Sequence, residues 1–301
     1  MKLELVNVNK YYGDFHVLKD VNLEINSGRL FAYLGRNGAG KTTSIRILMD
    51  VFKANSGEIL LDGKPFDLKE YRIGYLPEER GLYTKSTVKD QLVYFAKLRG
   101  LNRKEAMESV EYWTKRFGVH EYLNRLVETL SKGNQQKVQI TQAFVNNPDI
   151  LILDEPFSGL DPVNSQVFQE ALIEFINQEK IVIFSSHQMS FVESFCKDIA
   201  IIHQGKIVMA GDLENIKNQY GNNKIRVKTS NDEQLRKLLA DKNFVIEEDE
   251  KSIIINFEKS SKKEILTLLM KNDFDVEIFS DYQPSLQEIF VSKVGGDNET
   301  V

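Results

Sequence analysis

Residues 30–42, LFAYLGRNGAGKT, join an apolar run to a glycine-rich turn, and this stretch decides the fold. Residues 30–34 have the composition of a buried strand, and residues 35–42 fit the pattern G-x-x-x-x-G-K-[ST] in full. The run that follows, TSIRILMDV, favours a helix. Between a strand and a helix, such a turn directs successive backbone N–H groups at a phosphate group. The stretch therefore predicts a nucleotide phosphate site. The alternative is a glycine-rich turn that matches the pattern by accident.

The side chains of this turn predict that the chain uses ATP and Mg²⁺. Lys41 can bridge the β- and γ-phosphates, and the hydroxyl of Thr42 can bind Mg²⁺. Lys41 is therefore expected to act in catalysis as well as in binding. The predicted nucleotide-binding residues of the turn are Gly35, Arg36, Asn37, Gly38, Ala39, Gly40, Lys41, Thr42 and Thr43.

A pair of acids follows a second apolar strand in NPDILILDEP, residues 147–156. Asp154 closes that strand at the sheet edge where open α/β sheets bind ligands, and it can hold Mg²⁺ through water. Glu155 can orient or deprotonate an attacking water. Paired acids at a strand end are otherwise often a solvated turn or a helix N-cap. The phosphate turn upstream favours the catalytic interpretation.

Two more apolar runs continue the alternation of strands and helices. Residues 181–186 and 199–203 read as buried strands, which predicts an α/β fold with a parallel sheet. His187 follows the first of them, where an imidazole can reach a γ-phosphate, although a lone histidine is more often a satisfied surface or core residue. Asp161 stands near a helix N-cap, just before Pro162.

Changes in residue pattern along the chain predict its division into domains. A charged, helix-favouring stretch predicts a helical lobe over about 88–145. A turn at YGNNK leads into the order strand–helix–strand–strand–helix–strand, the ferredoxin-like arrangement. We predict an ATP-binding domain over 1–217, a small α+β domain over 222–293 and a loose tail over 294–301.

Composition limits the classes of function. The chain has 301 residues, 42% of them apolar, and a net charge of −5, which argues against a nucleic-acid partner. Cys196 is the only cysteine, so no internal disulfide can form and a reducing compartment is favoured. No run approaches the ~18 apolar residues of a spanning helix, and the N-terminal MKLELVNVNK lacks a signal-peptide pattern. We expect a soluble chain whose membrane role comes through a partner.

A second turn that precedes a helix-like run, LSKGNQQKVQI at 130–140, predicts a second anion site. Ser131 and the amide of Gly133 stand at the expected helix N-terminus, where anions bind favourably. A plain serine N-cap is the alternative, and the same side chain can serve both purposes.

With these motifs in this order, roughly residues 2–212 resemble the ATP-binding-cassette (ABC) ATPases that drive ABC transporters. GRNGAGKTT is similar to the family's Walker A motif, ILILDE to Walker B, SGLD, which contains Asp161, to the D-loop, and His187 to the switch histidine. The resemblance implies a P-loop NTPase cassette with a RecA-like core sheet, an antiparallel β subdomain and a helical lobe. Tyr12 falls where the family stacks an aromatic ring on adenine, and Tyr11 is a rival.

The second turn resembles the family's signature motif, which caps the γ-phosphate bound by the other subunit. This implies that the second anion site serves a partner's nucleotide. The signature residues would be Ser131, Lys132, Gly133 and Asn134, of which the second and fourth depart from the commoner glycine and glutamine. Glu78 stands where the family's Q-loop glutamine is expected, and its carboxylate can accept a hydrogen bond or bind Mg²⁺ through water. Glu79 and Arg80 can also be read as a solvated turn.

The resemblance also implies an assembly. Two cassettes would sandwich two MgATP head to tail and drive an integral membrane permease, with residues 78–95 at the permease contact. The chain would be cytoplasmic and peripheral on the inner face of the cell membrane. The closing PSLQEIFVSKVG resembles the tail of exporter ATPases of the sodium-efflux and drug-resistance type, so the domain before it is expected to stabilise the dimer or regulate it. A homodimer is favoured, pairing with a different cassette stays open, and the cargo is not specified.

Two other functions compete with this interpretation. A soluble ABC protein that acts on ribosomes or nucleic acid usually carries two cassettes in one chain, whereas Walker A and the signature each occur once in this sequence. A nucleotide sensor that does not hydrolyse ATP is disfavoured by Glu155.

Overall fold

The structure is a computed structural model that describes residues 1–79, 81–242, 244–249, 252–257 and 261–294. The chain divides into two units, Met1–Asp212 and Leu213–Val301. The sequence predicts a boundary near 217–222, whereas the structure divides the chain after Asp212. The helix over 213–221 therefore belongs to the second unit. Arg80 and residues 295–301 of the predicted tail lie outside the described residues.

The first unit contains a central sheet, an antiparallel sheet and a helical lobe. Its strands are β1 Lys2–Tyr12, β2 Phe15–Asn26, β3 Leu30–Leu34, β4 Ser56–Leu61, β5 Lys64–Pro65, β6 Ile73–Leu76, β7 Ile150–Asp154, β8 Ile181–Ser186, β9 Asp198–His203 and β10 Lys206–Asp212. Its α-helices are α1 Lys41–Leu48, α2 Val88–Leu98, α3 Arg103–Arg116, α4 Lys132–Phe144, α5 Pro162–Asn177 and α6 Met189–Phe195. Short 3-10 turns cover Leu68–Glu70, His120–Tyr122 and Val127–Thr129.

The central sheet has the order β10-β9-β3-β8-β7-β6, and its strands are parallel except for β10. Every residue of β3, β7 and β8 is buried, as expected for parallel strands covered on both faces. The α/β class predicted from the sequence is confirmed. Because Leu34 pairs with Ser186 and Asp154 with Ser185, the segments that follow β3, β7 and β8 leave the sheet side by side. This register places the predicted site residues at one edge.

The antiparallel sheet has the order β2-β1-β4-β5 and carries alternating burial along its strands. Left-handed Asn7 (φ 49°) and Asp20 (φ 49°) interrupt the β1–β2 ladder. The Asn9 side chain stabilises this irregularity, since its amide donates to Asp20 Oδ1 at 2.8 Å. The β subdomain implied by the resemblance is therefore present.

The helical lobe is formed by α2, α3 and α4 around an apolar core that includes Leu92, Val110 and Val138, each at most 1% exposed. Helix α3 begins with a capping box: the Asn102 side chain accepts the backbone N–H of Glu105, and the Glu105 side chain accepts the backbone N–H of Asn102. Trp113 packs on Phe144 at a ring-centroid distance of 4.8 Å, within an aromatic cluster that reaches α5. The lobe is thereby fixed to the sheet domain on one side.

The lone cysteine, Cys196, lies directly after α6 in the first unit and is only 7% exposed. Burial raises the pKa of its thiol well above the ordinary range. The thiol is therefore protonated and shielded at neutral pH.

The second unit is the predicted βαββαβ arrangement with a helix at each end. Its elements are α7 Leu213–Gly221, β11 Lys224–Thr229, α8 Asp232–Asp241, β12 Val245–Asp249, β13 Ser252–Asn256, α9 Lys262–Lys271, β14 Val276–Asp281 and α10 Leu286–Val294. The antiparallel sheet has the order β12-β13-β11-β14. Side chains of the two inner helices, such as Leu235 and Ile265, share a buried cluster with Ile225 and Val227. Within the described ranges of the whole chain, every helix falls short of the length and apolar character needed to cross a bilayer.

Candidate nucleotide site

A cavity of ≈ 290 Å³ opens at the carboxyl edge of the central sheet, after β3 and β7. Most of the residues that the sequence predicts for nucleotide, metal and water line it together. They are Arg36, Asn37, Gly38, Gly40, Lys41, Thr42, Thr43, Glu78, Asp154 and Glu155. The structure thus joins segments that stand far apart in the sequence into one polar chamber.

The phosphate turn ends in a backbone conformation that a residue with a side chain does not readily adopt. Gly40 is the N-cap of α1, has φ 115°, and caps the helix without a side-chain hydrogen bond. A Cβ atom there would lie 2.7 Å from Cδ2 of Leu18. Glycine is therefore needed for both the dihedral angle and the space, and the first amides of α1 stay open to an anion.

Lys41 is held in place by the turn itself. Its Nζ donates to the carbonyl oxygens of Gly35 at 2.6 Å and Arg36 at 3.3 Å, and the residue is 7% exposed. Burial lowers the pKa of the ammonium, and the charges of Glu155 and Asp154 partly counteract this. A buried cation that has oxygen partners and faces acids is suited to a phosphate chain.

Thr42 and Asp154 fit the requirements of Mg²⁺. The Thr42 hydroxyl donates to Oδ2 of Asp154 at 3.4 Å, so a hydroxyl oxygen and a carboxylate oxygen lie side by side at the cavity wall. Asp154 is 2% exposed. Within the described residues, no group of three His, Cys, Asp or Glu side chains is placed to hold a metal ion. The Thr42 hydroxyl and the Asp154 carboxylate suit Mg²⁺, which commonly uses one or two carboxylates together with substrate phosphates.

Ser185, which the sequence analysis does not assign to the site, fixes the two acids. Its hydroxyl donates to Oδ1 of Asp154 and accepts the backbone N–H of Glu155 at 3.2 Å. Ser185 is fully buried at the end of β8. Two serines that close an otherwise apolar strand, directly before His187, were the available signal, because a buried hydroxyl needs a partner.

Glu155 and His187 meet at the mouth of the cavity. His187 Nδ1 lies 2.8 Å from Oε1 of Glu155, and the histidine side chain is 60% exposed while that of the glutamate is 10% exposed. Burial raises the pKa of the Glu155 carboxyl, and the contacts with His187 and Lys41 offset part of the rise. Glu155 also has a left-handed backbone, φ 50°, an unusual conformation often found at functional sites. A buried base held by an imidazole is suited to orienting water.

The second predicted anion turn is separate from this cavity. Ser131 is the N-cap of α4, and its Oγ accepts the N–H of Asn134 at 3.3 Å. Ser131 and Lys132 are exposed, and a Cβ on Gly133 would meet nothing within 4 Å. The four residues 131–134 are not among those that line the cavity.

Three other predicted positions, Tyr11, Tyr12 and Asp161, are not among the residues that line the cavity. Tyr11 stacks on His16 with ring centroids 3.9 Å apart, whereas Tyr12 is 50% exposed and meets Phe52 edge-on. Lys10 Nζ lies over the Tyr12 ring, 5.6 Å from its centroid, so both tyrosine rings already contact a neighbouring side chain. Asp161 is the N-cap of α5, with Pro162 at the first helical position, as the sequence predicts. Its side chain accepts the N–H of Asn164 at 2.9 Å.

Comparison with known proteins places both units in a family. The family model for ABC transporters matches residues 18–158, and a model for the C-terminal domain of DrrA1-3-like ATP-binding proteins matches residues 211–294. The chain is 39% identical over 297 residues to the ABC transporter ATP-binding protein YhaQ of Bacillus subtilis, covering 97% of this chain and 98% of that one.

Two further matches are a relative named for the transport of bacitracin and a dimeric cassette structure. The bacitracin transport ATP-binding protein BcrA of Bacillus licheniformis is 30% identical over 303 residues, with 98% of this chain and 97% of BcrA covered. The dimeric structure of MJ0796, a bacterial ABC transporter cassette, superimposes with a TM-score of 0.64 at 25% identity, over 70% of this chain and 98% of that one.

Proposed function

Because this chain belongs to the ABC transporter family of ATP-binding proteins, we propose that it hydrolyses ATP to power an exporter. The observation that carries the proposal is the meeting of Lys41, Thr42, Asp154 and Glu155 in one cavity. Each side chain has the chemistry that one part of phosphoanhydride hydrolysis requires. The relatives are named as transport ATP-binding proteins, so action on ribosomes or nucleic acid is not favoured.

The residues divide the work between charge and water. Lys41 and the first amides of α1 bind the β- and γ-phosphates, while Thr42 and Asp154 would hold Mg²⁺, which would supply charge neutralisation at the phosphates. Glu155 orients the attacking water and accepts its proton, and His187 holds the Glu155 carboxylate in place. Glu78 lines the same cavity, where its carboxylate could bind Mg²⁺ through water.

The α4 turn supplies the other half of a site in a second subunit. Glycine in the first turn of a helix lowers helix stability relative to alanine, and at Gly133 the fold requires neither its φ nor its small size. A close approach by something outside the chain explains the choice of glycine. We propose that this approach is by the γ-phosphate of a nucleotide on a second cassette, in a head-to-tail homodimer like the dimeric relative.

An aromatic patch on the helical lobe fits the permease. The patch consists of Tyr83, Tyr94 and Leu98, which are 61%, 53% and 65% exposed. Tyr83 and Tyr94 both pack against Phe95, so the patch is held rigidly. Exposed aromatic side chains on a rigid base are typical of binding hot spots, and we propose that this patch meets an integral membrane permease at the inner face of the membrane.

The second unit is proposed to stabilise or regulate the assembly. Its surface carries ion pairs such as Lys228 with Glu277 and Lys224 with Glu247, and its described residues contain no group of His, Cys, Asp and Glu placed to hold a metal. The match to a DrrA-like C-terminal domain supports a role shared with related transport ATPases.

Replacing Glu155 with glutamine tests the proposed reaction. Glu155→Gln keeps the shape and removes the base, so ATP hydrolysis should fall at least about 100-fold while ATP binding stays within a few-fold of wild type. Phosphate release and nucleotide affinity are measured on the same preparations. Glu79→Gln, next to the cavity-lining Glu78, is the matched control and should stay near the wild-type rate. Normal turnover in Glu155→Gln contradicts the role assigned to Glu155.

A further inference from the structure

The loop that carries Glu78 is attached to the helical lobe by buried glutamines. Gln139 of α4 donates from one amide nitrogen to the carbonyl oxygens of Pro77 at 3.0 Å and Glu79 at 3.1 Å. At the other end of the loop, Gln91 of α2 accepts the N–H of Tyr83 at 2.9 Å. The loop therefore takes its position from α2 and α4.

Gln139 hydrogen-bonds to the backbone of both residues that flank Glu78. With the carbonyls of Pro77 and Glu79 both fixed, rotation of its own side chain is the main freedom left to Glu78. Gln139 is 2% exposed, and its neighbours Val138 and Ile140 are at most 1% exposed, so the amide is carried by a tightly buried part of α4. Loop position and carboxylate position are therefore linked.

The orientation of the Gln139 amide is determined by its partners. Reversing the amide would set its oxygen against two carbonyl oxygens, so the nitrogen must face the loop. The amide oxygen, Oε1, is buried and has no hydrogen-bond partner within the described part of the chain. An unsatisfied buried acceptor is unfavourable, and a methionine of similar shape would remove it, but would also take the donor away from the carbonyls of Pro77 and Glu79. The glutamine therefore leaves one buried acceptor unsatisfied in order to supply two hydrogen bonds to the loop.

We propose that Gln139 is a positioning residue for hydrolysis: it holds Glu78 at the wall of the nucleotide cavity through the two flanking carbonyls. This inference rests on the proposed function, because it gives Glu78 a part in ATP turnover. A merely structural glutamine would contribute to stability alone, with no dependence on Glu78.

A double-mutant cycle separates the two roles. Gln139→Met preserves length and burial but removes the donor, and it should lower kcat about tenfold while KM for ATP changes less than twofold. In a Glu78→Ala background, where the positioned carboxylate is absent, Gln139→Met should have no further effect on kcat. The control is Thr141→Val, a buried change on the same helix whose hydroxyl donates within α4, to the carbonyl oxygen of Lys137 at 2.7 Å, and not to the loop; it should change kcat less than twofold.

Hydrogen exchange gives a second measurement that does not depend on turnover. In Gln139→Met, amides of the described loop residues 78, 79 and 81–83 should exchange at least about tenfold faster than in wild type or Thr141→Val. The proposal is overturned by equal protection in all three proteins, by an unchanged kcat in Glu78→Ala, or by a Gln139→Met defect of equal size with and without Glu78. Absence of ATP hydrolysis in wild type and Thr141→Val would instead reject the proposed function.

Discussion

The α1 and α4 N-termini both present backbone N–H groups, yet they are built in opposite ways. The α1 turn is enclosed, because Gly40 has a left-handed backbone that Leu18 crowds and Lys41 is buried. The α4 turn is open and capped by an exposed Ser131, and Gly133 has free space around it. One turn is complete within the chain, whereas the other is proposed to be completed by a second subunit.

The difference shows how to distinguish a local requirement from an assembly requirement. A glycine that the backbone and its neighbours demand belongs to the fold of its own chain, as at Gly40. A glycine that the chain does not demand, as at Gly133, indicates an encounter with another molecule. Substitutions at the two turns should therefore affect different measurements.

The largest effect on the ATPase rate is expected when the two half-sites are disabled on different chains. Lys41→Ala disables the enclosed turn, and Gly133→Glu sets a negative charge where the partner's phosphate is proposed to sit. Each variant alone should lose about 100-fold or more of its ATPase rate. An equal mixture should recover about a quarter of the wild-type rate, because half of the dimers are mixed and each has one intact site of two.

Thermal unfolding and a measurement of size serve as controls for the mixture. Gly133→Glu should leave the single chain as stable as wild type, since an acid in the first turn of a helix is favourable. If mixed dimers form and the rate does not recover, the assignment of the α4 turn to the partner's nucleotide is wrong.

The next effect concerns the metal and is confined to the enclosed turn. Thr42→Val keeps the shape but removes the hydroxyl that contacts Asp154, so the Mg²⁺ concentration for half-maximal ATPase should rise at least about tenfold. A Mg²⁺ titration at saturating ATP measures it. Thr42→Ser retains a hydroxyl and should stay close to wild type; an unchanged Mg²⁺ requirement in Thr42→Val would remove Thr42 from the metal site.

The smallest effect is a difference in stability between two glycine-to-alanine changes. Gly40→Ala should lower the free energy of unfolding by about 1–3 kcal/mol, because its φ is 115° and the new Cβ would lie 2.7 Å from Leu18. Gly133→Ala should raise it by up to about 1 kcal/mol, because alanine favours the helix and meets no atom. Chemical denaturation measures both, and equal losses would contradict the comparison of the two turns.

Strands and local motifs were predictable where the sequence carries its own signal. The apolar runs 30–34, 150–154 and 181–186 are strands over those same residues, because strands buried on both faces must be apolar throughout. The phosphate turn and the N-cap at Asp161 were also recognisable, since short-range spacing specifies both.

Features that depend on distant packing were not predictable in this way. Gln139 has no local mark that distinguishes it from a solvent-facing glutamine, and its partners lie about sixty positions earlier in the chain. The predicted domain boundary lies later than the observed one because helix α7 is amphipathic. Its sequence does not indicate which unit packs on Leu213 and Ile216. The left-handed Asn7 and Asp20 in the β1–β2 ladder likewise depend on the side chain of Asn9.

The buried state of Cys196 makes the native chain a convenient background for thiol-specific probes. With its sulfur shielded and protonated, maleimide dyes or spin labels should react with an added surface cysteine and leave the native one untouched. Such a probe at Ser131 would report the approach of a second molecule by quenching or dipolar broadening. No engineered cysteine-free version is required first.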